Sequence, residues 1–228
     1  MRQVAAVLFD LDGTLLDRES SLLKFAGSQY DRFYRDLSVI NKEDYINRFI
    51  ELDSRGYVWK DKVYNSLLKE FNLRGMTCEV LLEDYMTNFK YTCIGFPHLH
   101  EVLVSLQQMG LKLGLISNGK TRFQMDNVKA LGIEGFFDCI LISEEVRLSK
   151  PDPLIFQKAL EKLGVSAAQS IYVGDHPEKD VSASRKIGMV GVWKRDDYWQ
   201  NADADYIIEN LNNLLSIISE GAMLHGKF

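Results

Sequence analysis

Cysteine is scarce in this chain of 228 residues: there are three, Cys78, Cys93 and Cys139. They are odd in number, widely spaced and lack a CxxC pairing. Neither a disulfide framework nor a cysteine metal site is expected, and the three read as apolar thiols in a reducing compartment. Long apolar runs are lacking too. The run from Val4 to Phe9 is interrupted at once by Asp10 and Asp12, so it is too short and too charged for a signal peptide or a membrane span. A basic excess is also missing. The formal net charge is -5, which argues against a general nucleic-acid binder, since such proteins present a basic face. A local basic pocket for a small anion remains compatible with it. Repeats, low-complexity tracts and flexible linkers are absent. These absences predict a cytoplasmic protein with neither nucleic acid nor membrane as partner.

What is present is an ordinary soluble composition, 46% hydrophobic and 26% charged, on a chain long enough for one large domain or a core with an insert. Val4 to Phe9 is nearly continuous in its apolarity, which suits a strand buried on both faces of a parallel sheet. Similar runs recur at Leu111–Ile116, Cys139–Ile142 and Ile171–Val173, with shorter ones at Val190–Val192 and Tyr206–Ile208. Helical spacing marks Leu99–Met109, between Pro97 and Gly110, then Pro153–Leu163 before Gly164, and Asp180–Ile187 before Gly188. Strands alternating with helices predict a parallel α/β sheet. The alternation fails from about Asp17 to Thr92. Apolar residues recur there at helical intervals, punctuated by Gly56, Gly75 and Gly95, and an insert of about four helices is expected.

The ends of the strands carry the chemistry. In open α/β sheets ligands bind beyond the carboxyl ends of the strands. Those ends hold Asp10-Leu11-Asp12-Gly13-Thr14, Ser117-Asn118-Gly119, Lys150-Pro151 and Gly174-Asp175, followed by Asp180. A carboxylate pair, a hydroxyl, an amine and a second acidic pair therefore converge on one edge, which is an inventory for moving a phosphoryl group. A carboxylate can split phosphate-ester hydrolysis into two steps through an aspartyl-phosphate. Because it also repels the phosphate dianion, a divalent cation and a lysine are needed beside it. Mg²⁺ suits a site of carboxylate, carbonyl and water oxygens. A second carboxylate two residues on lies on the same side of an extended segment, where it can move a proton.

These four segments, in this order and spacing, resemble the motifs of the haloacid dehalogenase (HAD) superfamily, and the helical insert resembles its C1-type cap. The resemblance covers essentially the whole chain. It implies a Rossmann-like, doubly wound core over residues 1–16 and 95–228, with an all-helical cap over 17–94. It implies a Mg²⁺-dependent phosphatase in which Asp10 is the nucleophile and Asp12 the general acid and base. Ser117, Asn118 and Lys150 would hold the phosphoryl oxygens. Asp10, Asp175 and the Asp12 carbonyl would hold the metal. Asp180 would lie near the metal or orient Lys150, and Thr14 would support the first loop. His176 has no assigned role.

Several readings compete. A dehalogenase would share the nucleophile, but Asp12 and Asp175 weigh against it. A phosphomutase would share nearly every motif. A receiver domain would lack the helical insert, and a silent phosphate-binding module would be expected to lose a motif residue. The expected partner is a small phosphorylated metabolite such as a nucleoside monophosphate, phosphoglycolate or a sugar phosphate. Monomer and homodimer are equally compatible. Elsewhere, His98 and His100 read as structural. Most of Tyr30, Phe33, Tyr34, Tyr57, Trp59 and Tyr64 read as packing between cap helices. Trp193-Lys194-Arg195 with Trp199 reads as a basic aromatic patch or a surface loop.

Overall fold

The structure, a computed structural model, describes residues 4–219. Two units are distinguished: residues 1–17 with 95–228, and residues 18–94.

The first unit is built on a six-stranded parallel sheet. Its strands are β1 (Ala6–Phe9), β2 (Lys112–Ser117), β3 (Cys139–Ile142), β4 (Ser170–Gly174), β5 (Val190–Lys194) and β6 (Tyr206–Ile208), in the spatial order β3-β2-β1-β4-β5-β6. Each expected strand is present; β3 and β6 have the expected bounds, and the other four differ at one or both ends by a residue or two. All of β1 is buried, as are the central residues of β2 and β4, which is why these segments read as unbroken apolar runs. Each large apolar side chain so buried stabilises the fold by about 1.5–3 kcal/mol.

The order sets the site. From β1 the chain moves outward through β2 and β3, returns to the other side of β1 as β4, and continues to β5 and β6. The reversal of direction lies at β1 and β4, the place where open α/β sheets bind ligands beyond their strand ends. Phe9 is in register with Leu115 on one side and Val173 on the other. Asp10 therefore leaves β1 beside the ends of β2 and β4, and its backbone N–H still donates to the Val173 carbonyl at 2.9 Å.

The second unit is helical: α1 (Arg18–Arg32), the single turn α2 (Tyr34–Leu37), α3 (Lys42–Asp53), α4 (Lys60–Glu70) and α5 (Cys78–Asn88). Four long helices match the expectation for the insert, and the short turn α2 is an addition to it. Of the aromatics read as packing, Tyr30 and Tyr64 are buried, but Tyr34, Tyr57 and Trp59 are exposed.

The remaining helices belong to the first unit: α6 (Leu99–Gln108), α7 (Thr121–Ala130), α8 (Ser143–Val146), α9 (Pro153–Leu163), α10 (Ala183–Lys186) and α11 (Asn213–Ser219). In α9 the local signals act as written in the sequence. The Asp152 side chain accepts the Leu154 N–H at 2.9 Å, Pro153 opens the helix, and Gly164 closes it at φ 64°. The helix expected from Asp180 instead begins at Pro177, with a wide π-type turn over Pro177–Ser182 that runs into α10. Neither α7 nor α11 is among the helices expected from the sequence.

Candidate active site

Four of the residues singled out by motif meet beyond the carboxyl edge of the sheet. Lys150, 5% exposed, donates from Nζ to Asp10 Oδ1, and to Asp180 Oδ1 at 2.7 Å. Asp10, Asp175 and Asp180 each offer a carboxylate oxygen within 4.8 Å of the others. Two carboxylates thus share the ammonium of Lys150, with the third, Asp175, beside them. Burial raises the Asp10 carboxyl well above its ordinary pKa; Lys150 opposes this, and the charges of Asp180, Asp175 and Asp12 add to it. Burial, reinforced by Asp180, pushes Asp175 up to about 7. Burial alone would discharge Lys150, but Asp10 and Asp180 outweigh it and hold the ammonium charged.

Two glycines permit this crowding. A Cβ on Gly13 would lie 2.5 Å from Asp175 Oδ2, and one on Gly174 would lie 2.4 Å from Asp180 Cβ. Gly13 also adopts φ +83°, a conformation that side chains resist. The first loop can therefore lie directly against Asp175, and the end of β4 directly against Asp180.

The donor set fits a small hard cation. All three groups are carboxylates. One oxygen of each lies within 4.8 Å of the others, so the three can turn toward a single ion. Asp10 and Asp175 are the members with oxygen to spare. Asp180 is already engaged at both oxygens, by Lys150 and by the His176 backbone N–H at 3.1 Å.

The other motif residues occupy distinct places. The Asp12 carboxylate stands outside the acidic trio, and its Oδ2 accepts from Gln124 Nε2 at 2.6 Å. Ser117, at the end of β2, accepts from the same nitrogen at 2.9 Å. The Asn118 side chain clasps the Lys150 backbone, accepting its N–H and donating to its carbonyl, both at 2.9 Å. Thr14 is buried with its hydroxyl unpartnered. His176 is structural. Its Nδ1 accepts the N–H groups of Glu178 at 3.1 Å and Lys179 at 3.2 Å, capping the turn that carries Asp180. His98 bonds Glu101, three residues on, at 2.8 Å.

Some neighbours of this cluster carry no motif. The Tyr172 hydroxyl accepts from Lys150 Nζ at 3.1 Å and lies 3.4 Å from both Asp180 Oδ1 and the Ile116 carbonyl. In the sequence it reads as one more apolar strand residue. Trp193 and Lys194 are buried at the end of β5 and form no surface patch. The Trp193 indole donates to the Asp175 carbonyl at 2.8 Å. Lys194 donates to the Gly13 carbonyl at 3.1 Å, with Nζ 3.3 Å from the Phe96 ring centroid. Their position directly after an apolar strand is the signal the sequence offers for them.

Comparison with known proteins agrees with this architecture. The profile of the haloacid dehalogenase-like hydrolases matches residues 7–193. The chain is 30% identical to a protein of Methanocaldococcus jannaschii named glyceraldehyde 3-phosphate phosphatase, over 94% of this chain and 97% of that one. It is 27% identical to haloacetate dehalogenase H-2 of a Moraxella species, over 85% and 86% of the two chains. Among solved structures, a HAD phosphatase from Thermococcus onnurineus superposes with a TM-score of 0.68 at 31% identity, over 94% of this chain and 98% of that one.

Proposed function

The chain belongs to the haloacid dehalogenase-like hydrolases, and on that premise we propose that it is a Mg²⁺-dependent phosphatase of small phosphomonoesters working through an aspartyl-phosphate. The observation that carries this reading is the charge imbalance at the sheet edge. Asp10 and Asp180 share Lys150, and Asp175 offers an oxygen within 4.8 Å of both, an arrangement unfavourable for folding and suited to a bound cation and phosphate.

Asp10 is the nucleophile. Its carboxylate oxygen attacks phosphorus, the bond to the substrate's alcohol oxygen breaks, and an aspartyl-phosphate forms. Asp12 gives a proton to the departing oxygen. The ionised Asp12 then takes a proton from a water, whose oxygen attacks phosphorus. The bond between phosphorus and Asp10 breaks, inorganic phosphate leaves, and Asp10 is restored. Lys150 and Ser117 hold phosphoryl oxygens, assisted by Asn118, which also fixes the Lys150 backbone. Mg²⁺, held by Asp10, Asp175 and the Asp12 carbonyl, supplies positive charge that offsets repulsion between carboxylates and phosphate. Asp180 orients Lys150, and Thr14 supports the first loop.

The helical unit acts as the cap, and specificity resides there, in residues 17–94. The name borne by the Methanocaldococcus jannaschii relative makes glyceraldehyde 3-phosphate the first substrate to try, with other sugar phosphates, phosphoglycolate and nucleoside monophosphates beside it. A cytoplasmic place fits such substrates. No helix among the described residues is long and apolar enough to cross a membrane.

The deciding experiment is phosphate release across that panel, before and after exhaustive chelation. Activity on a subset of the panel, lost with chelator and restored by Mg²⁺, is expected. Full turnover without metal sinks the reading. Halide release from haloacetate by the metal-free protein transfers the weight to a dehalogenase.

A further inference from the structure

We infer that Gln124 is a positioning residue that orients both the Asp12 carboxylate and the Ser117 hydroxyl through one amide group. The inference rests on the roles proposed above for Asp12 and Ser117.

Gln124 lies on α7 and is 4% exposed. Its Nε2 donates to Asp12 Oδ2 at 2.6 Å and to Ser117 Oγ at 2.9 Å, with the Asn118 carbonyl at 3.2 Å. Its Oε1 accepts from Asn127 Nδ2 at 3.2 Å, and Asn127 is fully buried. Reversing the amide would set two amino groups against each other and turn an oxygen toward the Asp12 carboxylate. Asn127 therefore fixes which way Gln124 faces. Room for the side chain comes from Gly119, where a Cβ would lie 3.0 Å from Gln124 Cγ and Nε2.

Two consequences follow from that orientation. One oxygen of Asp12 is tied to the amide, so the carboxylate cannot spin and its other oxygen is held ready for proton transfer. Ser117 Oγ receives a hydrogen bond from the amide, so its own proton must point elsewhere and is available to a phosphoryl oxygen. A side chain needed only to fill space would require neither donor. A buried amide without these partners would be destabilising.

The test is Gln124→Met, which keeps length and volume and removes both donors. Its fold is checked by a thermal melt. In single turnovers of an alkyl phosphate, alcohol release should slow about 10–100-fold, the scale of a misplaced catalytic group. The loss should shrink for an aryl phosphate with an acidic phenol, which leaves without a proton. KM should rise as Ser117 loses its orientation. At saturating substrate in an Asp12→Asn background, Gln124→Met should slow alcohol release much less than it does in the wild type, leaving the rise in KM that comes through Ser117. Wild-type kinetics, an equal loss on both substrates, or a full additional loss in the Asp12→Asn background would each overturn the inference. Should Gln124→Met fail to fold, Asn127→Leu removes the hydrogen bond that orients the amide and is read by the same measurements. Asp12→Asn alone separates the two possible failures. If it does not favour aryl over alkyl phosphate, the role of Asp12 falls with the proposed function. If it does and Gln124→Met does not, only the inference about Gln124 falls.

Discussion

Both units of this protein bury charge, and they do so in opposite ways. In the helical unit each buried carboxylate is matched. Asp53 accepts two hydrogen bonds from Arg18, at 2.9 and 3.1 Å, and a third from Lys60. Burial alone would raise its pKa, yet Arg18 and Lys60 outweigh burial and hold it below the usual range. Asp84 accepts from Arg32 at 2.8 and 2.6 Å, and from Gln29 and Asn88, both at 2.9 Å. Gln29 is itself satisfied by the hydroxyls of Tyr45 at 2.9 Å and Tyr64 at 3.0 Å. In the sheet unit Asp10 and Asp180 share one lysine with Asp175 close beside them, and burial drives Asp10 and Asp175 toward the protonated form. A balanced cluster acts as a strut, since every member already has its partner. An unbalanced one stores repulsion that a bound cation and phosphate can relieve, as expected of sites in which function is placed above stability.

The largest effect that would break this comparison comes from Asp10→Asn. Turnover should fall by about 10⁴-fold or more, as for other enzymes that lose a nucleophile, and no phosphoenzyme should form. The metal-free variant should melt no lower than wild type, because burial already drives Asp10 toward the protonated form that the amide resembles. A melting temperature several degrees lower would place Asp10 among the struts. Next comes Asp53→Asn in the helical unit. It leaves Lys60 buried beside a neutral amide, and breaking such a pair is destabilising by about 3–5 kcal/mol, which a denaturant titration resolves. A loss under about 1 kcal/mol, the scale of an exposed pair, would show that the matched cluster contributes little.

The smallest and most discriminating effect is the sign of the pH dependence. The folded-state pKa of Asp53 is lowered, so its contribution to stability is full above the unfolded value of about 3.9 and is lost as pH falls through the folded value. Asp175 behaves oppositely. With its folded value raised to about 7, the native state of the metal-free protein holds a proton that the unfolded chain has released. Stability should therefore fall as pH rises from about 4 to about 7. The check is the difference in melting temperature between wild type and Asp175→Asn across that window, in chelator and then in Mg²⁺. Wild type should lose ground to the variant as pH rises in chelator, and Mg²⁺ should flatten the trend. A difference independent of pH in chelator would contradict the unbalanced-cluster picture.

Much of this architecture is legible in the sequence, because its causes are local. Strands buried on both faces appear as apolar runs, and capped helices such as α9 announce both ends. The acidic, hydroxyl and lysine side chains of the four motifs stand where strands stop or just beyond. The gaps have physical reasons as well. Helix α7 carries Gln124 and Asn127 on its buried side, so the apolar rhythm that identifies a core helix is broken by two buried amides. His176 acquires a role only through the two backbone N–H groups that its Nδ1 accepts. Tyr172 looks apolar because its polar end is satisfied inside the sheet unit.

By itself, then, the sequence determined the strand and helix alternation, the all-helical insertion and the acidic, hydroxyl and lysine groups at the strand ends, since each depends on neighbours within a few residues along the chain. Tertiary structure alone decided which polar groups are struts and which form a site. Lys150 reaches Asp10 across 140 positions, and Gln124 reaches Asp12 across 112. A charge is stabilised or stranded by what surrounds it once water is excluded, and those surroundings come from segments far apart in the chain.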